Sequence, residues 1–168
     1  MRAGLLAAFI LSTGISAASA EDDTASTDTA SANDIFAFQH VSCTGADNEI
    51  RIIVTGVKDN VGLMTAELFP DKEDGFLRGR NRIKRVRFAA KSPETKFCLT
   101  APQAGRFAIA AYHDENANED FDKNGLGLPA EPWGLSRNPK IRFRMPSVEE
   151  TVFEVTPDDG AEIVINLN

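Results

Sequence analysis

The sequence has few of the residues that commonly build metal or catalytic centres, and its charge is unbalanced. It contains only two cysteines and two histidines, and its formal net charge is −7. His40 and His113 have no second histidine nearby, so a zinc site would need ligands from distant segments. Ser136 does not lie in a nucleophile-elbow sequence. An acidic chain also argues against nucleic acid as a partner. We therefore expect neither an enzyme nor a nucleic-acid-binding protein.

The sequence also lacks a hydrophobic run of the roughly 20 residues that a transmembrane helix needs. Its one apolar stretch near the N-terminus, residues 5–11, is short. Arg2 precedes this stretch, and Ala18-Ser19-Ala20 follows it, which is the pattern of a secretory signal peptide. We predict a signal peptide at residues 1–20 and no transmembrane segment. No cysteine directly follows the cleavage point, so we do not expect a lipid anchor.

The remaining chain divides into a short leader and one domain. Residues 21–33 are nearly all Asp, Thr, Ser and Ala. Such a segment cannot bury enough apolar area to offset the entropy of ordering it, which predicts a disordered acidic leader. Residues 34–168 are long enough to form one domain with a sizeable core.

No segment of this domain shows a sustained helical repeat, and apolar residues recur mostly at every second position. This period is typical of half-buried strands, and turn residues separate most of the candidates. The predicted strands are 35–41, 50–55, 63–69, 83–88, 96–99, 106–112, 141–145, 151–155 and 163–167. The pattern favours an all-β fold, an antiparallel β-sandwich of the immunoglobulin or transthyretin-like kind with roughly eight strands. A closed barrel is the alternative, because local spacing does not show whether a sheet closes on itself.

Export also bears on the cysteines. Cys43 and Cys98 are 55 positions apart, and an oxidising compartment favours a disulfide between them. Two free buried thiols are the alternative. We predict the disulfide.

The most distinctive segment is an acidic run at residues 113–125, hereafter the acidic loop, which follows the strand at 106–112. Asp114, Asn116, Asn118 and Asp122 stand at relative positions 1, 3, 5 and 9, the spacing of a Ca²⁺-binding loop. Asp120, at position 7, would contribute its backbone carbonyl. The sequence therefore predicts a weak Ca²⁺ site formed by these five residues.

The electrostatics of the acidic loop favour a cation, but other interpretations are open. Five carboxylates stand against one lysine, and two carboxylates about 5 Å apart repel by roughly 1–3 kcal/mol unless a cation lies between them. Position 12 is Gly125, so Glu131 or Glu115 would have to replace the usual final glutamate. The alternatives are a surface turn without metal, and Mg²⁺. Apolar residues between 121 and 133 predict that the long connection at 113–140 is ordered.

Several residues in and around the acidic loop resemble a known bacterial family. They are Gly105, Phe107, Ala108, Ile109, His113, Asp114, Asn116, Asn118, Asp122, Asn124, Gly127, Pro129, Glu131, Gly134, Ser136 and Asn138. The pattern resembles the exported proteins grouped as domain of unknown function 2141, over about residues 50–167. This resemblance implies a small exported β-domain with no established activity. We accordingly expect a periplasmic or secreted protein of a Gram-negative bacterium.

The chain differs from the family pattern inside the acidic loop. Glu119 stands where the family usually has glycine, and Asp120 stands where lysine is frequent. The sixth position of a Ca²⁺ loop makes a sharp turn that glycine adopts most easily, so we expect backbone strain at Glu119.

Two classes of function compete on this evidence. The first is a non-enzymatic exported module that binds or supports an envelope protein or a polysaccharide. The alternative is an envelope hydrolase or carbohydrate-active enzyme that uses the loop carboxylates and His113. Residues 78–87 carry six positive charges, which indicates either a solvated edge strand or a surface for an anionic partner.

Overall fold

A computed structural model describes residues 43–141 and 144–168. The predicted signal peptide, leader and strand at 35–41 lie outside these residues. The described strands are β1 (Glu49–Thr55), β2 (Leu63–Pro70), β3 (Lys84–Ala89), β4 (Glu94–Thr100), β5 (Gly105–Asp114), β6 (Trp133–Leu135), β7 (Phe153–Val155) and β8 (Ala161–Asn166). The described helical segments are two 3-10 turns, Gly79–Asn81 and Val148–Glu150, and no described helix has the length and apolar character to cross a membrane.

The strands form two sheets that share one apolar core. The first sheet has the order β4-β1-β8, and the second has the order β3-β2-β5-β6, with β7 also paired to β5. Neighbouring strands are antiparallel, except that β1 and β8 run parallel, with Ile50 opposite Ala161. The predicted β-sandwich is confirmed. The parallel pair was not visible in the sequence, because half-buried strands show the same alternation in either direction.

The core follows from the period-two spacing of apolar residues. Ile50, Ile52 and Val54 of β1 point inward, as do Phe107 and Ile109 of β5, and all five are buried. A strand with one face on the core alternates in this way, since successive side chains point to opposite faces.

The outer face of the second sheet carries a second, smaller apolar cluster. Phe69 of β2 and Ala108 of β5 pack there against Val148 and Val152, which follow β6 in the chain. Phe76, between β2 and β3, packs its ring edge-on against Phe69 at 5.7 Å. Residues 63–69 are therefore buried on both faces, which explains why their sequence pattern is less regular than that of β1.

The structure differs from the predicted elements at two places after the acidic loop. The strand predicted at 141–145 is wrong in its described residues, because Ile141, Arg144 and Met145 are not in a strand. Pro139 and Pro146 flank this segment, and each removes a backbone donor that a strand would use. The structure instead contains β6, which pairs with Ala110–Tyr112. With only three residues, β6 is too short to show an alternating pattern.

The predicted disulfide between Cys43 and Cys98 is present, and there is no free cysteine in the described part of the chain. Cys98 lies in β4 and is buried, whereas Cys43 precedes β1 and is exposed. The bond therefore fixes the segment before β1 to the edge strand of the first sheet.

Candidate functional site

The acidic loop begins at the buried end of a long strand. His113 and Asp114 are the last residues of β5, and both are completely buried. The Asp114 carboxylate accepts hydrogen bonds from the backbone N–H groups of Asn118, at 3.1 Å, and Glu119, at 2.8 Å. Asp114 thus closes the first turn of the loop, and these charge-assisted bonds offset part of the cost of burying its carboxylate.

His113 anchors the same end of the loop to the connection between β1 and β2. Its Nε2–H donates to the backbone carbonyl of Val61 at 2.7 Å, and its Nδ1 lies 4.0 Å from a carboxylate oxygen of Glu115. The neighbouring Gly62 packs closely on the loop, because a Cβ there would lie 2.0 Å from the Asp114 carbonyl oxygen. His113 therefore has the contacts of a residue that holds the loop in place.

Two asparagines shape the next turn and converge on Asp122. The side-chain oxygens of Asn116 and Asn118 accept the backbone N–H groups two residues later, at 3.0 and 2.9 Å. Their Nδ2 groups both donate to the Asp122 carboxylate, Asn116 at 2.8 Å and Asn118 at 3.1 Å. The side chains of Asn116, Asn118 and Asp122 are therefore gathered at one point, where amide hydrogens neutralise part of the carboxylate charge.

The structure brings together some, but not all, of the five residues predicted to bind Ca²⁺. The structure brings three predicted ligands together, but the oxygens of Asn116 and Asn118 face their own backbone. The Asp114 carboxylate faces backbone amides, and Asp120 is exposed, with its N–H bonded to Asn118. Rotation of each asparagine amide about its Cβ–Cγ bond would turn an oxygen toward Asp122. As the side chains stand, the bonds from the Asn116 and Asn118 oxygens to the backbone two residues later form Asx turns. The Ca²⁺ site stays a prediction.

Glu131 is the residue of this site that the five-residue ligand prediction did not include. It lies beside the loop, and one of its oxygens accepts the backbone N–H of Asp122 at 3.1 Å. Glu131 is only 8% exposed. Its second oxygen is buried and makes no hydrogen bond of good geometry among the described residues, although the backbone N–H of Glu115 lies close enough to favour the ionised form. Burial, with smaller contributions from Asp114 and Asp122, raises the pKa of Glu131 to about 7.

A buried, unpartnered carboxylate oxygen is costly, and such groups are uncommon in folded proteins. The sequence signal for Glu131 was weak, because it stands 17 residues after Asp114 and outside the regular ligand spacing. The absence of a glutamate at position 12 was the available indication that a later acid would be needed.

The backbone of the loop is strained where the sequence predicted strain. Glu119 has φ +68°, the left-handed conformation expected at the sixth loop position, and Ala117 has φ +56°. Residues with a Cβ pay roughly 1–2 kcal/mol for this conformation. Arg87 of β3 holds Glu119 in place, since it donates to the Glu119 carbonyl at 2.8 Å and pairs with its carboxylate at 3.2 Å.

Aromatic contacts and backbone bonds fix the remainder of the connection between β5 and β6. The ring of Phe121 lies 5.0 Å from Tyr112 and 6.4 Å from Trp133. Lys123 and Pro129 form an isolated β-bridge, and Ala130 donates its N–H to the Asp122 carbonyl at 2.9 Å. The connection is folded onto the second sheet by these contacts.

In the described residues, three potential metal-ligand atoms lie within 4.8 Å of one another at one place, which is outside the acidic loop. These atoms belong to Cys43, Glu49 and Cys98. Because both cysteines are in the disulfide, neither offers a thiolate to a metal. The acidic loop has more widely spaced acids, so it would have to tighten around an ion.

The chain matches a known family of bacterial proteins. The model of a family described as an uncharacterized protein conserved in bacteria, DUF2141, matches residues 52–163. Neither the curated proteins nor the solved structures match the chain. The matched region runs from β1 to the middle of β8 and includes the whole acidic loop, Glu131 and β6. This chain is therefore a member of the DUF2141 family.

Proposed function

We propose that this protein is an exported, non-enzymatic β-sandwich that serves as a binding or structural module, and that its acidic loop binds Ca²⁺ weakly. The observation that carries the ion site is the position of Glu131. The Glu131 carboxylate is buried, and one of its oxygens lacks a partner among the described residues. Its other oxygen accepts the backbone N–H of Asp122, the residue on which Asn116 and Asn118 converge.

The physical argument is one of charge and coordination. Asp114, Asp122 and Glu131 are three acids in one region, and the charges of Asp114 and Asp122 both disfavour ionisation of Glu131. A divalent cation would turn this repulsion into attraction. Asn116 and Asn118 would add neutral oxygens after rotation of their amides, and Glu131 would take the part of the missing acid at position 12. Hard oxygen ligands of this kind suit Ca²⁺.

The expected affinity is low. The loop must break the hydrogen bonds between its asparagines and Asp122 before those ligands can face an ion, and it carries the strain of Ala117 and Glu119. Extracellular Ca²⁺ modules bind with Kd values of about 10⁻⁴ to 10⁻³ M. Such a site would stiffen the loop rather than act as a sensor of small concentration changes.

Calcium is expected to raise the melting temperature of the protein. With a Kd in that range, about 10 mM Ca²⁺ would add roughly 1–3 kcal/mol to the free energy of unfolding, or roughly 5–10 °C in Tm. Differential scanning calorimetry in Ca²⁺ and in chelator measures this shift. NaCl at the same ionic strength is the control for salt, and equal melting curves in Ca²⁺ and chelator would rule out the ion site.

The hydrolase alternative depends on His113, and the contacts of this residue favour a structural role. A general base has to reach a substrate from a pocket, whereas His113 is completely buried and bonded to the carbonyl of Val61. Burial accounts for the raised pKa of Glu131, and His113 has no access to a substrate, so the binding or structural module is the one function proposed.

A further inference from the structure

The outer face of the second sheet contains a groove, to which the acidic loop contributes Phe121 and Lys123. Two segments cover this face at its ends: Phe76 and Leu77 with the residues near Val148 on one side, and the connection between β5 and β6 on the other. Between them lies a cavity of about 640 Å³, hereafter the sheet groove. This size is within the range of small-ligand sites, which are about 300–1,000 Å³.

The lining of the sheet groove carries a small surplus of positive charge, since Arg82, Arg85 and Lys123 stand against Glu67 and Glu73. Glu67 of β2 lies between Arg82 and Arg85, and both guanidinium groups contact the same carboxylate oxygen at 2.5 Å. One carboxylate neutralises only one of these two cations, and each guanidinium has five N–H donors. The arginines are about a quarter exposed, so they are held in place but accessible from the groove.

The opposite wall of the groove is aromatic. Tyr112 and Trp133 are cross-strand neighbours on β5 and β6, and Phe121 packs against both. Trp133 and Phe121 are partly exposed and line the cavity, together with Lys123 and Pro129 of the same wall. Flat aromatic faces next to a few fixed polar groups are the usual lining of a site for a ring-shaped, partly apolar ligand.

We propose that the sheet groove binds an acidic saccharide. A sugar ring would lie against Trp133 and Phe121, and its carboxylate would meet Arg82 and Arg85, since planar guanidinium groups match carboxylates in a two-pronged geometry. The net charge of the whole chain is −7, which opposes densely charged polymers such as nucleic acids. A ligand with one carboxylate per ring fits both the local positive surplus and the overall negative charge.

The groove can be tested directly, because Trp133 is the one tryptophan of the chain. Its fluorescence should change and saturate when trigalacturonate is added to the intact protein. The trisaccharide methyl ester retains the rings without the charge, and triglutamate retains the charge without the rings. We expect both to bind at least about tenfold more weakly, because each loses one of the two kinds of contact. Equal binding of the ester or of triglutamate, or no response to trigalacturonate, would overturn the proposal.

Substitutions distinguish binding in the sheet groove from general electrostatic attraction of the ligand to the protein surface. Arg82→Gln should weaken trigalacturonate binding by about tenfold. Arg80→Gln makes the same change of charge two residues away at an exposed position outside the cavity lining, and it should leave binding unchanged. Lys123→Gln, on the other wall, provides a second test if the loss of Arg82 disturbs Glu67, and it should also weaken binding. Equal affinities in wild type, Arg82→Gln and Lys123→Gln would contradict the assignment.

The titration should be repeated in Ca²⁺ and in chelator. Phe121 and Lys123 adjoin Asp122, but Arg82, Arg85 and Trp133 lie outside the acidic loop, so binding in chelator combined with no effect of Ca²⁺ on melting would remove the ion site and leave the groove. Calcium-dependent melting without saccharide binding would support the ion site and remove the groove.

Discussion

Replacing Glu131 with glutamine is expected to stabilise the calcium-free protein and to abolish its stabilisation by Ca²⁺. At about pH 8, Glu131 is mostly ionised although buried, and one of its oxygens lacks a partner. Glutamine has nearly the same shape without the charge, and its carbonyl can still accept the N–H of Asp122. We expect a gain of roughly 1–3 kcal/mol in the free energy of unfolding without Ca²⁺.

The pH dependence of this gain has a definite sign. Burial raises the pKa of Glu131 from 4.5 to about 7, so the folded protein retains a proton that the unfolded chain has released. The stability contributed by this group is therefore highest below the lower value, falls as the pH rises toward about 7, and stays low above it. Glutamine removes this slope. Urea unfolding at about pH 5 and pH 8 should show a benefit of Glu131→Gln mainly at the higher pH.

Glu115→Gln is the control for this experiment, and it also tests the other acid that the sequence offers for position 12. Glu115 is in the acidic loop and its side chain is 48% exposed, so the substitution lowers the negative charge of the loop without removing a buried carboxylate. It should change both stability and the response to Ca²⁺ only slightly. If Glu131→Gln retains the full calcium shift, Glu131 is not a ligand. If it destabilises the calcium-free protein at about pH 8, the buried charge is not the strain that we infer.

Removal of the disulfide is expected to have the largest effect on stability. The bond joins residues 55 positions apart, and closing a loop of this length removes roughly 4 kcal/mol of unfolded-state entropy. The corresponding fall in Tm is roughly 15 °C for a domain of this size. Cys43→Ser is the cleanest variant, because Cys43 is exposed and the buried Cys98 side chain keeps its packing.

Reductant provides an independent control for the disulfide. Wild type in dithiothreitol should melt near Cys43→Ser, and Cys43→Ser should not respond to dithiothreitol. A variant that melts within about 3 °C of oxidised wild type would show that the segment before β1 adds little constraint to the unfolded chain.

The sequence predicted the parts of the fold that depend on one-sided burial. In β1 one face meets the core, so the alternation of Ile50, Ile52 and Val54 was readable. β2 was harder, because a second layer covers its outer face and nearly every residue is buried. The strand predicted at 141–145 is wrong in its described residues, where prolines limit pairing. Alternation alone does not show which backbone donors are available.

The candidate site was predictable only where its residues are close in sequence. The regular spacing located the turn that joins Asn116, Asn118 and Asp122, and the missing glycine indicated strain at Glu119. Glu131 reaches the site only because the connection folds back through Phe121 and the bridge at Lys123. Arg87, which supports Glu119, comes from a strand 32 positions earlier. Contacts of this kind are set by tertiary packing, which local spacing does not report.

The parallel pairing of β1 and β8 has a consequence for the order of events during biogenesis. The central strand of the first sheet pairs with a strand about 110 positions later in the chain, with Ile50 opposite Ala161. Partners so distant along the chain meet slowly, because a large loop must close first. A growing chain therefore cannot complete its first sheet before β8 has been made, and one edge of β1 stays open until then.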